Sequence, residues 1–279
     1  MNKFGFMQGR LVDQIEGKIQ AFPWDQWRLE FPRASDLGLS FVEWTIDHER
    51  LLENPFVTID GQVEIISLME KYQIAVPSIT GDCFMQAPFW KCDDSDRAKL
   101  LAELDLILLS AIKLQTKFIV IPLVDNGRIE NVVQKNLLIT HLSDRIPYLR
   151  YNNLQIIFET DYAPDEYKLF IKQLPEDVFN INYDIGNSAS LGLDSSEEFA
   201  AYGNRIVNVH IKDRLLGGTT VPLGKGAADF NRVFEGLAKL GYSGNFILQT
   251  ARASNGAHES TLASYLEIVT QLWHRYYES

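Results

Sequence analysis

Three side chains that could together bind a metal ion lie at the ends of apolar segments in the second half of the chain. Glu159 ends LQIIFE, Asp184 ends FNINYD, and His210 is the penultimate residue of IVNVHI. Burying a carboxylate is costly unless it is paired or bound to a metal. If the three segments are adjacent strands, two carboxylates and an imidazole form a ligand set that suits Mn²⁺, Mg²⁺, Co²⁺ or Zn²⁺. Taken singly, each side chain also has a structural interpretation, as a loop cap, a turn residue or a core histidine.

These segments belong to a repeat in which short apolar strands alternate with longer amphipathic helices. In 95–114, for example, Leu100, Leu104, Ile107 and Ala111 recur at helical spacing. Such alternation is typical of parallel strands joined by helical crossovers. We predict strands at 3–7, 41–44, 74–79, 117–122, 154–159, 179–184, 206–211 and 245–250. We predict the intervening helices at 25–37, 60–72, 95–114, 129–150, 165–173, 195–203, 229–240 and 258–277.

Eight strand–helix units in 279 residues favour an α/β fold, and specifically a single (β/α)8 TIM barrel that covers residues 1–279. No G-x-G-x-x-G motif follows the first strand, which weakens the alternative of an open, dinucleotide-binding sheet. Chemistry in such barrels collects where the strands end. Glu43, at the end of the second predicted strand, and Gln249, in the eighth, therefore join the candidate residues.

Composition and charge exclude several classes of protein. Apolar residues make up 46% of the chain and charged residues 23%, which is ordinary for a globular protein. The net charge of −11 argues against nucleic-acid or membrane-surface binding, since both need a basic face. The most apolar stretch, FIVIPLV, is far too short to span a bilayer, and MNKFGFMQGR does not read as a signal peptide. With only two cysteines in the chain, we expect free thiols and a cytoplasmic protein.

Several motifs resemble the sugar-phosphate isomerase/epimerase family, the xylose isomerase-like barrels, and within it the L-xylulose-5-phosphate 3-epimerase branch. The resemblance covers essentially the whole chain. The matching segments are GRL (9–11), IQAFPWDQW (19–27), FVEWTID (41–47), IIFETD (156–161), NYDIGN (182–187), NVHIKDR (208–214) and PLGKGAADF (222–230). The ordered set of Glu, Asp-x-Gly-Asn and His-x-Lys-Asp on three successive strands is the most specific of these.

The resemblance implies one divalent metal ion held by residues from the last four strands. Glu159, Asp184 and His210 match three of the family's ligands, whereas Gln249 stands where the family has a second glutamate. An amide oxygen can still bind a hard metal ion, but it cannot act as a base at neutral pH. In the family's 3-epimerases two glutamates work on opposite faces of an enediolate. Here epimerisation would need a substitute, such as Lys212, a water molecule or a carboxylate from a loop.

Other residues near the predicted barrel mouth are candidates for binding substrate. Arg214 and Lys212 follow His210, Lys225 lies in a glycine-rich loop, and Arg252 follows the eighth strand. Phosphate sites of barrels often use these loops, because basic side chains and backbone N–H groups converge there. The resemblance implies that Asn187 contacts the sugar, and Glu43 could bind substrate or support another site residue.

We therefore expect a metal-dependent isomerase or epimerase of a small carbohydrate, phosphorylated or not, that removes a proton next to a carbonyl with Glu159 as base. A lyase that dehydrates a keto-polyol or cyclic keto acid needs only one base and is an alternative. A catalytically silent sugar-binding barrel is another. The DNA-repair branch of the family is disfavoured by the acidic charge and the five histidines, of which one occupies a convincing ligand position. The resemblance also implies a homodimer or homotetramer.

Overall fold

The strands of this protein close into a parallel barrel in a computed structural model that describes residues 3–253 and 256–278. Each strand pairs with its neighbours along the chain, and the last barrel strand pairs with the first. The barrel strands are β1 (Phe4–Met7), β2 (Phe41–Thr45), β3 (Ala75–Thr80), β4 (Phe118–Leu123), β5 (Gln155–Thr160), β6 (Phe179–Asp184), β7 (Ile206–Ile211) and β10 (Asn245–Leu248). The predicted (β/α)8 barrel is confirmed, and every predicted strand lies within two residues of the observed one.

Helices surround the barrel and connect its strands. They are α1 (Glu30–Asp36), α2 (Ile59–Tyr72), α3 (Asp82–Gln86), α4 (Asp94–Lys113), α5 (Val132–Ser143), α6 (Ile146–Asn152), α7 (Pro164–Ile171), α8 (Ile185–Ser190), α9 (Ser195–Tyr202), α10 (Phe230–Lys239) and α11 (His258–Tyr277). Within residues 3–253 and 256–278, none of these helices is long and apolar enough to cross a membrane.

The prediction of one helix over 129–150 was wrong, because the segment forms two helices, α5 and α6. Pro147 occupies the first turn of α6. A proline inside a helix lacks the N–H donor and its ring collides with the preceding turn, whereas the first turn tolerates it. The short helices α3 and α8 were not predicted, nor was the two-stranded hairpin of β8 (Asp213–Arg214) and β9 (Thr220–Val221). Each is too short to show a periodic pattern.

Alternation along the strands determines which side chains point into the barrel. The Phe158 ring packs at 5.4 Å from the ring of Phe170 on α7, so Phe158 faces outward and its neighbour Glu159 faces inward. On β7, Asn208 and His210 hydrogen-bond to the side chain of Glu43 from across the barrel. The barrel interior near the ends of these strands is therefore polar, while the layer between strands and helices is apolar.

Candidate active site

The three predicted metal ligands converge inside the barrel. One donor atom from each of Glu159, Asp184 and His210 lies within 4.8 Å of the others. His210 Nδ1 is 3.3 Å from Glu159 Oε2 and 3.9 Å from Asp184 Oδ2. All three side chains are buried. Two carboxylate oxygens and one imidazole nitrogen at these separations form a donor set that fits a single divalent ion.

His210 is oriented by Glu43. Its Nε2 atom lies 2.7 Å from Glu43 Oε1, while Glu43 Oε2 accepts hydrogen bonds from Ser78 Oγ at 2.6 Å and Asn208 Nδ2 at 3.0 Å. Burial lowers the pKa of His210, but Glu43 and Glu159 outweigh it and raise the pKa to about 10. A carboxylate on the far nitrogen of a metal-binding histidine fixes the ring and its tautomer. Glu43 is fully buried, so it supports His210 and is not a wall of the cavity.

Glu159 is held by two amide side chains and remains ionised. Asn182 Nδ2 donates to Oε2 at 2.9 Å, and Asn187 Nδ2 donates to Oε1. Burial raises the pKa of Glu159, but the hydrogen bond and charge of His210, together with the Lys212 ammonium, leave it below its ordinary value. A carboxylate that is oriented by hydrogen bonds and ionised at neutral pH can accept a proton from a bound molecule.

Asp184 combines a structural role with its position in the cluster. It ends β6 and is the N-cap of α8, where Oδ1 accepts the backbone N–H of Asn187 at 2.8 Å. Its Oδ2 atom accepts a hydrogen bond from Lys212 Nζ at 2.7 Å. Lys212 Nζ also donates to Gln249 Oε1 at 3.1 Å, so the lysine links two of the predicted ligand residues, Asp184 and Gln249.

A cavity of about 260 Å³ reaches this cluster at Glu159. Five predicted site residues line it, namely Glu159, Asn187, Lys212, Arg214 and Gln249. The remaining lining residues are Ile19, Gln20, Thr80, Asp82, Met85, Pro122, Val124, Asp125, Arg128, Asp161, Ser190, Leu191 and Thr220. The structure thus brings five of the predicted residues to the wall of one small cavity, whereas Asp184 and His210 lie behind that wall and are not among its lining residues.

Lys225 and Arg252 are not among the residues that line this cavity. Lys225 is exposed, and the glycine-rich loop around it is bound to a carboxylate of the protein itself. Asp213, which is fully buried, accepts the backbone N–H groups of Gly224 and Gly226, each at 2.8 Å. Asp213 therefore already accepts two of the N–H groups of the loop that was expected to approach a substrate phosphate, and the substrate-binding role of Lys225 stays a prediction. Arg252 donates to the Val12 carbonyl at 2.7 Å, beside the loop that follows β1.

Sequence reasoning missed several residues of the site. Asn182 and Asn208 each precede a predicted ligand by two positions, and the strand period of two could have identified them as facing inward. Asn208 Nδ2 donates to Asn182 Oδ1 at 2.8 Å, which joins the Glu43 and Glu159 sides of the barrel. Asp82, at the start of α3, carries no comparable signal in the sequence, because it follows its strand after a glycine and precedes no apolar repeat.

A comparison with known proteins shows which family model this chain matches. A family model described as a xylose isomerase-like TIM barrel matches residues 31–267. L-ribulose-5-phosphate 3-epimerase UlaE of Salmonella paratyphi A is 38% identical over 84 residues, which are 29% of this chain. Those residues span 30% of that protein, so the chain matches less than a third of the length of this curated relative.

Two solved structures share the fold over nearly the whole chain. The structure of the IOLI protein with a bound zinc atom has a TM-score of 0.76 and 14% identity, covering 99% of this chain and all of that one. D-psicose 3-epimerase with D-tagatose, from Clostridium cellulolyticum H10, has a TM-score of 0.75 and 14% identity, covering 97% of this chain and 99% of the other. At these identities the likeness establishes the fold alone.

Proposed function

The chain belongs to the xylose isomerase-like TIM barrel family, as its motifs predict, and we propose that it is a divalent-metal-dependent isomerase or epimerase of a small carbohydrate phosphate. Its reaction removes the proton next to a carbonyl, with Glu159 as the base. One observation supports this most directly. Glu159 is an ionised, doubly hydrogen-bonded carboxylate that lines the cavity and also belongs to the Glu159, Asp184 and His210 cluster.

Those three residues would hold the metal ion, with the Gln249 amide oxygen as a fourth donor. When bound, such an ion supplies positive charge that polarises the substrate carbonyl and lowers the cost of an enediolate. Glu43 keeps His210 in the orientation that leaves Nδ1 toward the cluster. Asn182 and Asn187 hold the two oxygens of Glu159, so that the carboxylate is positioned before substrate arrives.

We propose that Arg214 binds the phosphate of the substrate. Its guanidinium lines the cavity and donates to Asn187 Oδ1 at 2.8 Å and to the Gly218 carbonyl. Across the part of the chain that the structure describes, its hydrogen bonds go to these neutral oxygens rather than to a carboxylate. Arginine donors of this kind suit a phosphate group, and the curated relative that matches part of the chain is named for a sugar phosphate.

The cellular location and the oligomeric state remain predictions. Cys83 and Cys92 are both free thiols, which agrees with a reducing, cytoplasmic location. The homodimer or homotetramer that the family resemblance implies also remains a proposal.

The decisive experiment follows hydrogen exchange by NMR. Metal-supplemented protein in D₂O is mixed with a panel of ketoses, aldoses and their phosphates, beginning with L-ribulose 5-phosphate. We expect metal-dependent exchange of the proton next to the carbonyl, abolished by chelation and restored by Mn²⁺, Co²⁺ or Zn²⁺. Chelation should also lower the melting temperature, because an ion that binds only the folded state stabilises it.

Three other outcomes would contradict the proposal. Loss of water from the substrate without such exchange would favour a lyase. Stabilisation by sugars with no chemical change would favour a binding protein. If the purified protein contains no metal and gains neither stability nor activity from added ions, the proposal of a metal site is wrong.

A further inference from the structure

The proposed chemistry needs a second proton carrier, because Gln249 does not ionise at neutral pH. Lys212, one substitute that the sequence suggests, already donates hydrogen bonds to Asp184 and Gln249. The cavity wall offers four carboxyl groups: Asp82, Asp125, Asp161 and Glu159. Asp125 is exposed, and Asp161 forms an ion pair with Arg128. Glu159 is the proposed base. Asp82 is the one of the four that is buried and makes no ion pair among the described residues.

Asp82 is built into the wall of the cavity. It is the first residue of α3, immediately beyond the end of β3, and only 8% of its surface is exposed. Thr80 Oγ1 donates to Asp82 Oδ1 at 3.1 Å, which holds one of its oxygens. β3 and β10 lie on opposite sides of β5 in the barrel order. Asp82 and Gln249 therefore reach the cavity from different flanks of Glu159.

The surroundings of Asp82 favour its protonated form. Burial raises its pKa to about 7, and the carboxylates of Asp47, Glu159 and Glu43 act in the same direction, against a smaller effect of the Thr80 hydrogen bond. The Cys83 thiol is adjacent on α3. The negative charge of Asp82, when ionised, also attracts the buried guanidinium of Arg10 and acts to raise the pKa of Arg10. A buried carboxyl group that lines a cavity and favours its protonated form can donate a proton to a bound molecule.

We propose that Asp82 is the second catalytic residue, which donates to the substrate the proton that Gln249 cannot supply. This inference rests on the proposed function. Glu159 accepts the proton as the C–H bond breaks, and the electron pair moves to the carbonyl oxygen to form an enediolate. That pair then forms a new C–H bond with the proton of Asp82, delivered from another side. Asp82 ends ionised and Glu159 ends protonated, and exchange with solvent resets both.

The test compares Asp82→Asn with the wild-type protein, using L-ribulose 5-phosphate and Mn²⁺ in D₂O. NMR measures two rates: deuterium exchange into recovered substrate, and formation of the C3 epimer. We expect epimer formation to fall by about 100-fold or more, the usual contribution of a general acid, while exchange through Glu159 stays within about threefold. Asp36→Asn, which removes an exposed carboxylate from the end of α1, is the matched control and should change neither rate.

Each other result decides against the assignment in its own way. Epimer formation within about threefold of wild type in Asp82→Asn removes Asp82 from the reaction and leaves the proposed function intact. Wild-type exchange without any epimer would show that one base alone acts on the substrate and would contradict the proposed role of Asp82. Absence of exchange with every sugar in the panel overturns the proposed function and this inference together.

Asp47→Asn provides an independent test that does not depend on the folding of Asp82→Asn. Asp47 accepts hydrogen bonds from the Phe22 backbone and Gln86 and does not line the cavity. Removing its charge should lower the pKa of Asp82. In the wild-type protein, epimer formation should decline above about pH 7, because Asp82 loses its proton there. In Asp47→Asn the decline should begin at lower pH. An unchanged pH profile would contradict a proton-donating role.

Discussion

Two buried glutamates near the same end of the barrel differ in charge. Glu159 lines the cavity, and His210 and Lys212 keep its pKa below the ordinary value although burial acts in the opposite direction. Glu30, on α1, is only 1% exposed, and burial raises its pKa to about 8. Its Oε1 atom accepts the backbone N–H groups of Gly9 at 2.7 Å and Leu11 at 3.2 Å.

The difference shows that burial alone does not identify a functional carboxylate. Glu30 lies near two arginines, but Arg10 donates to the carbonyls of Thr250 at 2.8 Å and Ile19 at 2.9 Å. Arg252 donates to another backbone carbonyl. Glu159 contacts its cationic partner directly and opens onto a cavity. We interpret Glu30 as a residue that secures the loop after β1, and Glu159 as a residue that meets substrate.

The largest expected effect separates these two roles. Glu159→Gln should reduce the rate of proton exchange by about 10²–10⁴-fold, because it removes the base and keeps the shape of the side chain. Glu30→Gln should leave exchange within about threefold of wild type, because its amide oxygen can still accept both N–H groups. The measurement is NMR exchange in D₂O. Equal losses of exchange rate in the two variants would show that Glu30 and Glu159 do not differ in role.

Glu43 provides the next largest effect, on stability. It is fully buried and is the carboxylate partner of His210 Nε2. Glu43→Ala should lower the free energy of unfolding by about 3–5 kcal/mol, because removing one partner leaves the other group buried without compensation. Urea unfolding of the metal-free protein measures this. Glu64→Ala is the control, since its exposed ion pair with Arg28 is worth about 1 kcal/mol or less.

The sequence predicted the part of this comparison that depends on local pattern. Apolar runs and helical periodicity located the barrel strands, and Glu159 was found because a carboxylate ends one of those strands. The importance of Asp82 and the burial of Glu30 depend on which side chains meet across the barrel. Nothing in the periodic pattern of the sequence distinguishes Asp82 or Glu30 from the residues around it. The contact between the glycine-rich loop and Asp213 could not be predicted, because Asp213 lies 11 and 13 residues before the two glycines whose N–H groups it accepts.

A smaller effect concerns the pH dependence of stability. The pKa of Glu30 rises from 4.5 to about 8 on folding. Below about pH 4.5 both states hold the proton, whereas between these values only the folded state does. The free energy of unfolding should therefore fall as pH rises, by at most about 1.4 kcal/mol per pH unit from this residue. Glu30→Gln should flatten the curve over that window. An unchanged slope in urea unfolding would show that Glu30 is ionised in the folded protein.

The smallest expected effect comes from Gln249→Glu, which places a carboxylate beside Lys212, whose side chain is 13% exposed. Its value lies in combination with Asp82→Asn. Because a carboxyl group at position 249 can carry the proton that an amide cannot, the double variant should recover about tenfold in epimer formation over Asp82→Asn alone, a part of the contribution of a general acid. Recovery would show that the site accepts a proton carrier from either flank of Glu159. If the double variant forms epimer no faster than Asp82→Asn, the amide of Gln249 has a role of its own, such as holding Lys212 at 3.1 Å.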